Sequence, residues 1–203
     1  YQIVGQPLGV FYLPHCKGLV KNENGSYFYD IEDLDHNGKV DLSDGGDRYI
    51  AGQATPKVIL GSNISFKYKN YYISIQMNGA FGHKIFNGTG LAYTSMACFP
   101  DYNVFKDAPK KNIIDQRVSD YWLEKGDYLN FEHLTIGYNV PLRSKLIRSL
   151  RVSCNISNIG TITGYKGLTP MINSYVVNST MGIDDKRNYP LYRTYSLGLS
   201  VQF

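Results

Sequence analysis

Residues 33 to 44 read DLDHNGKVDLSD. Oxygen-bearing side chains recur at every second position, a glycine follows, and two more acids close the run. That is the spacing of a twelve-residue loop that wraps a hard divalent cation in oxygen ligands. Asp33 takes position 1, Asp35 position 3 and Asn37 position 5. Gly38 falls at position 6, where the sharp turn requires it. Lys39 at position 7 would offer its backbone carbonyl, Val40 is the aliphatic anchor and Asp41 is position 9. Asp44 stands at position 12, where the usual residue is the longer Glu, so weaker bidentate ligation is expected. The chemistry implied is Ca²⁺ binding. The flanks are not amphipathic helices, so a helix–loop–helix sensor is not implied.

Other chemistry-bearing residues form no such pattern. His15, His36, His83 and His133 are scattered with no HxxxH pair, which gives neither a zinc site nor a histidine base. Cys16, Cys98 and Cys154 are widely spaced with no CxxC, so three unpaired thiols are expected. Glu124, Asp127 and Glu132 lie close in sequence, but sequence proximity alone does not make a catalytic carboxylate pair. GxSxG, P-loop and GxGxxG contexts do not occur. No catalytic residue is assigned, and no enzymatic activity is expected.

The elements that must hold the acidic loop are strands. The chain has 203 residues, enough for one large domain or two small ones. Its 21 Lys and Arg against 17 Asp and Glu leave a surplus of +4, spread thinly along the sequence. No basic block tracks phosphates, so nucleic acid is excluded as a partner. Eighteen tyrosines suit strands and surfaces that are half apolar and half wet; twenty glycines suit turns and bends. No run approaches the roughly 20 apolar residues of a membrane helix. The chain opens at Tyr1 with neither Met nor a signal-peptide pattern, as expected of a fragment or processed product.

Period-2 alternation marks five strands. In VILGSNISFKYK the apolar set is Val58, Leu60, Ile64, Phe66 and Tyr68, and after Lys69 and Asn70 the phase restarts at Tyr71, Ile73, Ile75, Met77 and Phe81. So short a link predicts a tight hairpin. YLNFEHLTIGYNV, residues 128 to 140, changes phase near His133, which predicts a bulge there. LRVSCNISNI follows from residue 150, and RTYSLGLSVQF runs to Phe203. Strands of 10 to 13 residues are about twice the usual globular length of about 5 to 6. A tilted strand crosses a bilayer in roughly 9–11 residues, with an apolar face to lipid and a polar face to the lumen. Links are alternately short (69–70, 141–149) and long (about 84–127 and 160–192), matching the short periplasmic turns and long external loops of an outer-membrane barrel. The expectation is an all-β fold: an antiparallel, long-stranded sheet from a large transmembrane barrel. Residues 1–56 form an external loop region carrying the acidic loop 33–44. Residues 57–203 form the last five or so barrel strands with two long external loops.

Four stretches carry a resemblance to a family. YFYDIEDLDHNGKVDLSDGGDRYIAGQATPKVILG is similar to an acidic segment that runs into a strand, and YWLEKGDYLNFEHLTIGYNVP resembles the block written sYlRlknltLGYnlP. NIGTITGYKGLTP and YPLYRTYSLGLSVQF resemble a loop and the terminal strand of the same family. The chain thus resembles, over most of its length, the C-terminal part of a SusC/RagA-type TonB-dependent outer-membrane transporter of Bacteroidetes. It departs from the pattern at Asn130, where Arg is usual, and at Thr169–Pro170–Met171, where an acidic DPE is usual.

The resemblance implies a cell outer-membrane location in contact with lipid, and import of a glycan or peptide. It implies a SusD-like lipoprotein as an external lid. It implies drive from the TonB complex through an N-terminal plug and TonB box that these residues do not include. A barrel of about 22 strands is usual for such transporters, so five strands would be a part of the wall. The rival from another class is a soluble calcium-dependent carbohydrate-binding or adhesion β-module. A terminal alternating strand ending in Phe203 speaks for the barrel, since a soluble module needs no such ending.

Overall fold

The computed structural model describes residues 3–43, 45–143, 146–172, 181–186 and 188–203. In chain order the strands are β1 (Val10–Leu13), β2 (Cys16–Lys21), β3 (Tyr27–Ile31), β4 (Tyr49–Gln53), β5 (Val58–Tyr68), β6 (Tyr71–Phe81) and β7 (Lys84–Asn87). Two short helices follow, α1 (Gly88–Thr94) and α2 (Ala108–Lys111). Then come β8 (Leu123–Lys125), β9 (Tyr128–Val140), β10 (Ser149–Thr163), β11 (Ile183–Asp184) and β12 (Thr194–Gln202). The chain divides into two compact units, one of residues Tyr1–Pro56, Gly82–Gly126 and Tyr165–Tyr189, the other of Lys57–Phe81, Asp127–Gly164 and Pro190–Phe203.

The second unit is one antiparallel sheet in the order β12-β10-β9-β6-β5, so each long strand pairs with its predecessor in the chain. Lys69 adopts φ +51° in the two-residue turn that joins Tyr68 to its partner Tyr71. Glu132 is the extra residue of the expected bulge. Pairing steps from Gln76 opposite His133 to Met77 opposite Phe131, and on the other side from Ser157 to Gly160. The bulge preserves one continuous apolar face across a strand whose pattern changes phase. β10 runs to Thr163, beyond the expected start of a loop at residue 160, because Gly160–Thr163 pair with Tyr128–Phe131.

The apolar face of this sheet is bare. Leu197 is 85% exposed, Phe66 64% and Ile64 58%. Each such side chain left in water forgoes about 1.5–3 kcal/mol of burial, so the face must be covered by something apolar. Eleven residues of β5 extend over roughly 36 Å, or about 25 Å when tilted near 45°, the height of the apolar band of a membrane barrel. No helix among the described residues is long and apolar enough to cross a membrane, which says nothing of a crossing by strands.

The opposite face is a ladder of amides and hydroxyls. Ser65 and Ser74 bond at 3.0 Å, Ser74 donates to Asn63, and Thr135 donates to Asn155 at 2.9 Å. Gln76 and Asn78 donate to Glu132, His133 bonds Ser157, and Thr161 donates to the buried Asn130. Tyr72 lies flat across Gly137, with the Arg151 guanidinium 5.2 Å above its ring. A Cβ on Gly137 would fall 1.9 Å from that ring, so this position requires glycine for space.

The first unit has its own core. Phe11, Tyr29, Ile31, Ala54, Phe86, Leu91, Ile113 and Trp122 pack together from β1, β3, the chain after β4, β7, α1 and the loops. The Trp122 indole N–H donates to the Tyr29 hydroxyl at 2.8 Å, satisfying the polar tip of each ring. Burial pushes the Tyr29 hydroxyl up to about 12. Four small ladders, β1 with β4, β2 with β3 and β11-β7-β8, frame this core. Their strands are mostly 2 to 6 residues long, too short to show a period in sequence, and none was expected there. Cys16 and Cys154 are free thiols.

Candidate functional site

The acidic loop lies between β3 and β4 and turns back on itself twice. His36 at φ +58° and Gly38 at φ +84° make the first reversal. Within it every acid accepts local N–H groups. Asp33 takes the N–H of Gly38 at 2.7 Å and of Asn37 at 3.3 Å. Asp35 takes Asn37 N–H at 3.1 Å and its side-chain amide at 2.7 Å. Lys39 N–H donates to Asn37 Oδ1 at 2.8 Å. Desolvation pushes the Asp33 carboxyl up, but the N–H bonds from Gly38 and Asn37 help to outweigh it and hold it below the usual value.

Gly45 and Gly46 make the second reversal, and it brings in a residue that the twelve-residue spacing does not contain. Asp47 is 1% exposed. Its Oδ1 accepts Leu34 N–H at 2.6 Å and Asp35 N–H at 3.3 Å, and its Oδ2 accepts Asp41 N–H at 2.7 Å. Asp47 N–H in turn donates to the Asp41 carbonyl at 2.7 Å. A Cβ on Gly46 would stand 2.5 Å from that carbonyl, so the return path needs glycine. The Arg48 guanidinium holds the Leu42 carbonyl.

Carboxylate oxygens of Asp33, Asp35 and Asp47 lie within 4.8 Å of one another, the one such group of metal-capable side chains among the described residues. Three carboxylates converging on one point fit a hard divalent cation in charge and donor type. Asn37 is in the same turn, but its oxygen faces Lys39 N–H. Asp41 is engaged elsewhere: its oxygens accept from the N–H and hydroxyl of Ser43, and the backbone bond, then the hydroxyl bond and the Arg48 charge, hold its carboxyl low. Asp44 lies outside the described residues. The signal that could have found Asp47 is the Gly45–Gly46 pair, which lets the chain double back so that an acid beyond the window returns to its start.

The remaining titratable residues hold loops. Asp184 is fully buried and accepts from Thr89 Oγ1 at 2.7 Å, Tyr165 hydroxyl at 2.7 Å and Asn188 at 3.0 Å. Burial, then the Asp184 bond and charge, push the Tyr165 hydroxyl far up. Glu124 accepts from Asn87 and from Lys166 N–H, both at 2.8 Å. Asp120 accepts from His15 Nδ1 at 2.6 Å and from the Tyr49 hydroxyl and Cys16 N–H, both at 2.7 Å. Burial raises its carboxyl, but these donors outweigh burial and hold it low. The four histidines lie in different elements, and Glu124 and Glu132 have separate hydrogen-bond partners.

Among curated proteins the chain is 26% identical to TonB-dependent receptor P3 of Formosa agariphila, over 98% of its own length and 22% of the relative's. It is 26% identical to TonB-dependent receptor SusC of Bacteroides thetaiotaomicron, over 91% of its own length and 18% of the relative's. The chain therefore spans about a fifth of the length of these relatives. Among solved structures it matches the RagAB peptide importer in the open-open state with TM-score 0.71 at 17% identity, covering 100% of this chain and 24% of that one. The closed-closed state gives TM-score 0.69 at 16% identity, over 96% of this chain and 23% of that one. No protein-family model matches.

The chain is an all-β, long-stranded antiparallel segment, similar in sequence to part of TonB-dependent receptors and in fold to part of the RagAB barrel. The likeness to SusC in sequence and to RagAB in fold supports a SusC/RagA-type fragment. The named relatives are receptors and transporters, in line with the expectation of no enzymatic activity.

Proposed function

We propose that the parent protein is a TonB-dependent importer of the bacterial outer membrane that takes up oligosaccharides or peptides. These residues form part of its barrel wall, with Leu197, Phe66 and Ile64 against lipid and the Ser–Asn–Thr–Gln ladder toward the lumen. The first unit supplies external loops. The observation that carries this reading is the five-strand meander with one bare apolar face and one hydrogen-bonded polar face. An open sheet edge is not tolerated in hydrocarbon, so β5 and β12 each pair with a further strand of a closed barrel. RagAB is named as a peptide importer and SusC as a TonB-dependent receptor. By likeness to them the partners are a SusD-like lipoprotein outside and TonB within. The soluble adhesion module gains no support from these relatives.

The test is a one-residue insertion after Gly198, which turns the lipid face of β12 to the lumen. The fraction of heat-modifiable, folded protein in isolated outer membranes is expected to fall sharply. Deleting Phe203 should do the same, and an insertion near Asn173, a position outside the described residues, should not. Equal folded fractions for all three would overturn the barrel reading.

The acidic loop is read here as a Ca²⁺ site that fixes a large loop and so lowers the ordering cost of engaging a partner. Asp33, Asp35 and Asp47 are its converging carboxylates, with Asn37, the Lys39 carbonyl and Asp44 as further oxygens of the loop, while Asp41 is engaged by Ser43 and is not counted among the ligands. Titration calorimetry with CaCl₂ checks it. Binding heat in the native protein, lost in Asp33→Ala, is expected; no heat, or the same heat in the variant, would reduce the loop to a turn.

A further inference from the structure

Four asparagines in the chain precede glycine: Asn24, Asn37, Asn78 and Asn87. An Asn–Gly bond is open to ring closure because glycine has no Cβ to shield its nitrogen. The Gly nitrogen bonds to the Asn Cγ and loses its proton. The carboxamide C–N bond breaks, and ammonia leaves with that proton. Water then adds across one imide C–N bond, giving Asp on the ordinary backbone or isoaspartate with an extra methylene in the main chain. No electrons change hands, and solvent water is the co-reactant.

The structure separates the four. Asn87 is 4% exposed, caps α1 through the Gly90 N–H at 2.6 Å and donates to Glu124. Asn78 and Gly79 lie in the β6 ladder, where pairing to β9 fixes the backbone extended. Both are held away from ring closure. Asn24 lies in the exposed β2–β3 turn, where Gly25 N–H is bound to the Asn22 carbonyl at 3.0 Å. At Asn37 each group that the reaction changes has a hydrogen-bond partner. The residue is exposed and outside any ladder. Gly38 N–H points at the Asp33 carboxylate at 2.7 Å, a group that takes up proton density as the nitrogen attacks. Lys39 N–H lies 2.8 Å from Asn37 Oδ1, where negative charge develops when Cγ becomes tetrahedral. The leaving amide nitrogen is held by Asp35 at 2.7 Å.

We propose that Asn37–Gly38 is a spontaneous deamidation site, converted ahead of the other three Asn–Gly bonds by the Asp33 and Lys39 groups around it. Conversion to isoaspartate lengthens the main chain inside the reversal and breaks the Gly38–Asp33 and Lys39–Asn37 bonds, so the acids lose their common spacing. The inference does not rest on the calcium reading.

The test uses the purified protein in chelator, aged in mildly alkaline buffer at physiological temperature, then digested and read by peptide mass spectrometry with fragmentation that distinguishes isoaspartate. The Asn37 peptide should convert several-fold faster than the Asn24 peptide of the same sample, with Asn78 and Asn87 slower still. Gly38→Ala should slow Asn37 by roughly an order of magnitude, because its Cβ shields the nitrogen. Asp33→Asn should slow it as well while leaving Asn24 unchanged. Conversion at Asn37 no faster than at Asn24, or an Asp33→Asn rate equal to the native one, overturns the proposal.

Discussion

Replacing Asp47 by alanine should open the acidic loop while leaving the long sheet intact. The carboxylate is buried and takes two short bonds, from Leu34 N–H at 2.6 Å and Asp41 N–H at 2.7 Å, and a longer one from Asp35 N–H at 3.3 Å. Hydrogen bonds to a charged group contribute roughly 1.5–3 kcal/mol each. The two short ones together favour the closed loop by about 3–6 kcal/mol, and water entering the vacated space recovers some of that. The lower end, about 3 kcal/mol, raises the open population by about 150-fold. Amide exchange read by mass spectrometry reports that population directly for the peptide covering residues 33–41. The β5–β6 hairpin serves as the internal reference. Asp47→Asn keeps one acceptor oxygen and should fall between the native protein and the alanine variant. If the 33–41 peptide exchanges at the native rate in Asp47→Ala, the carboxylate does not organise the loop, and the reasoning from its three donors is wrong.

Three further outcomes follow from the same structure. Gly137→Ala places a methyl 1.9 Å from the Tyr72 ring and should destabilise the long sheet by about 1–3 kcal/mol, read as a lower folded fraction, with recovery in the Gly137→Ala, Tyr72→Ser double variant. Asp184→Ala removes the acceptor shared by Thr89, Tyr165 and Asn188 and should destabilise the first unit by about 2–4 kcal/mol, seen as faster exchange of the peptide around Tyr165. Asp120 has its carboxyl held low in the folded chain. It therefore contributes stability that is present above the unfolded carboxylate range, about pH 4, and lost as pH falls through its lower folded value. An acid titration followed by near-ultraviolet circular dichroism should show that loss, and Asp120→Asn should remove this component of the acid transition.

The sequence by itself determined the five long strands, because period-2 alternation over 9 to 15 residues is a local property of the chain. It also determined the bulge near His133, since a strand with one apolar face must add a residue where its pattern changes phase. The turn over residues 33 to 39 is also local, because glycine and alternating acids set it from within. Tertiary structure alone decided that residues before Pro56, between Gly82 and Gly126, and from Tyr165 share one core. Their strands are too short to carry a period, and their contacts join positions far apart in sequence. It alone decided that Asp47, beyond the twelve-residue window, is the buried carboxylate that gathers Leu34, Asp35 and Asp41. The spacing rule counts residues along the chain, whereas a carboxylate acts through space, and Gly45–Gly46 let the chain return it to the point where the turn begins.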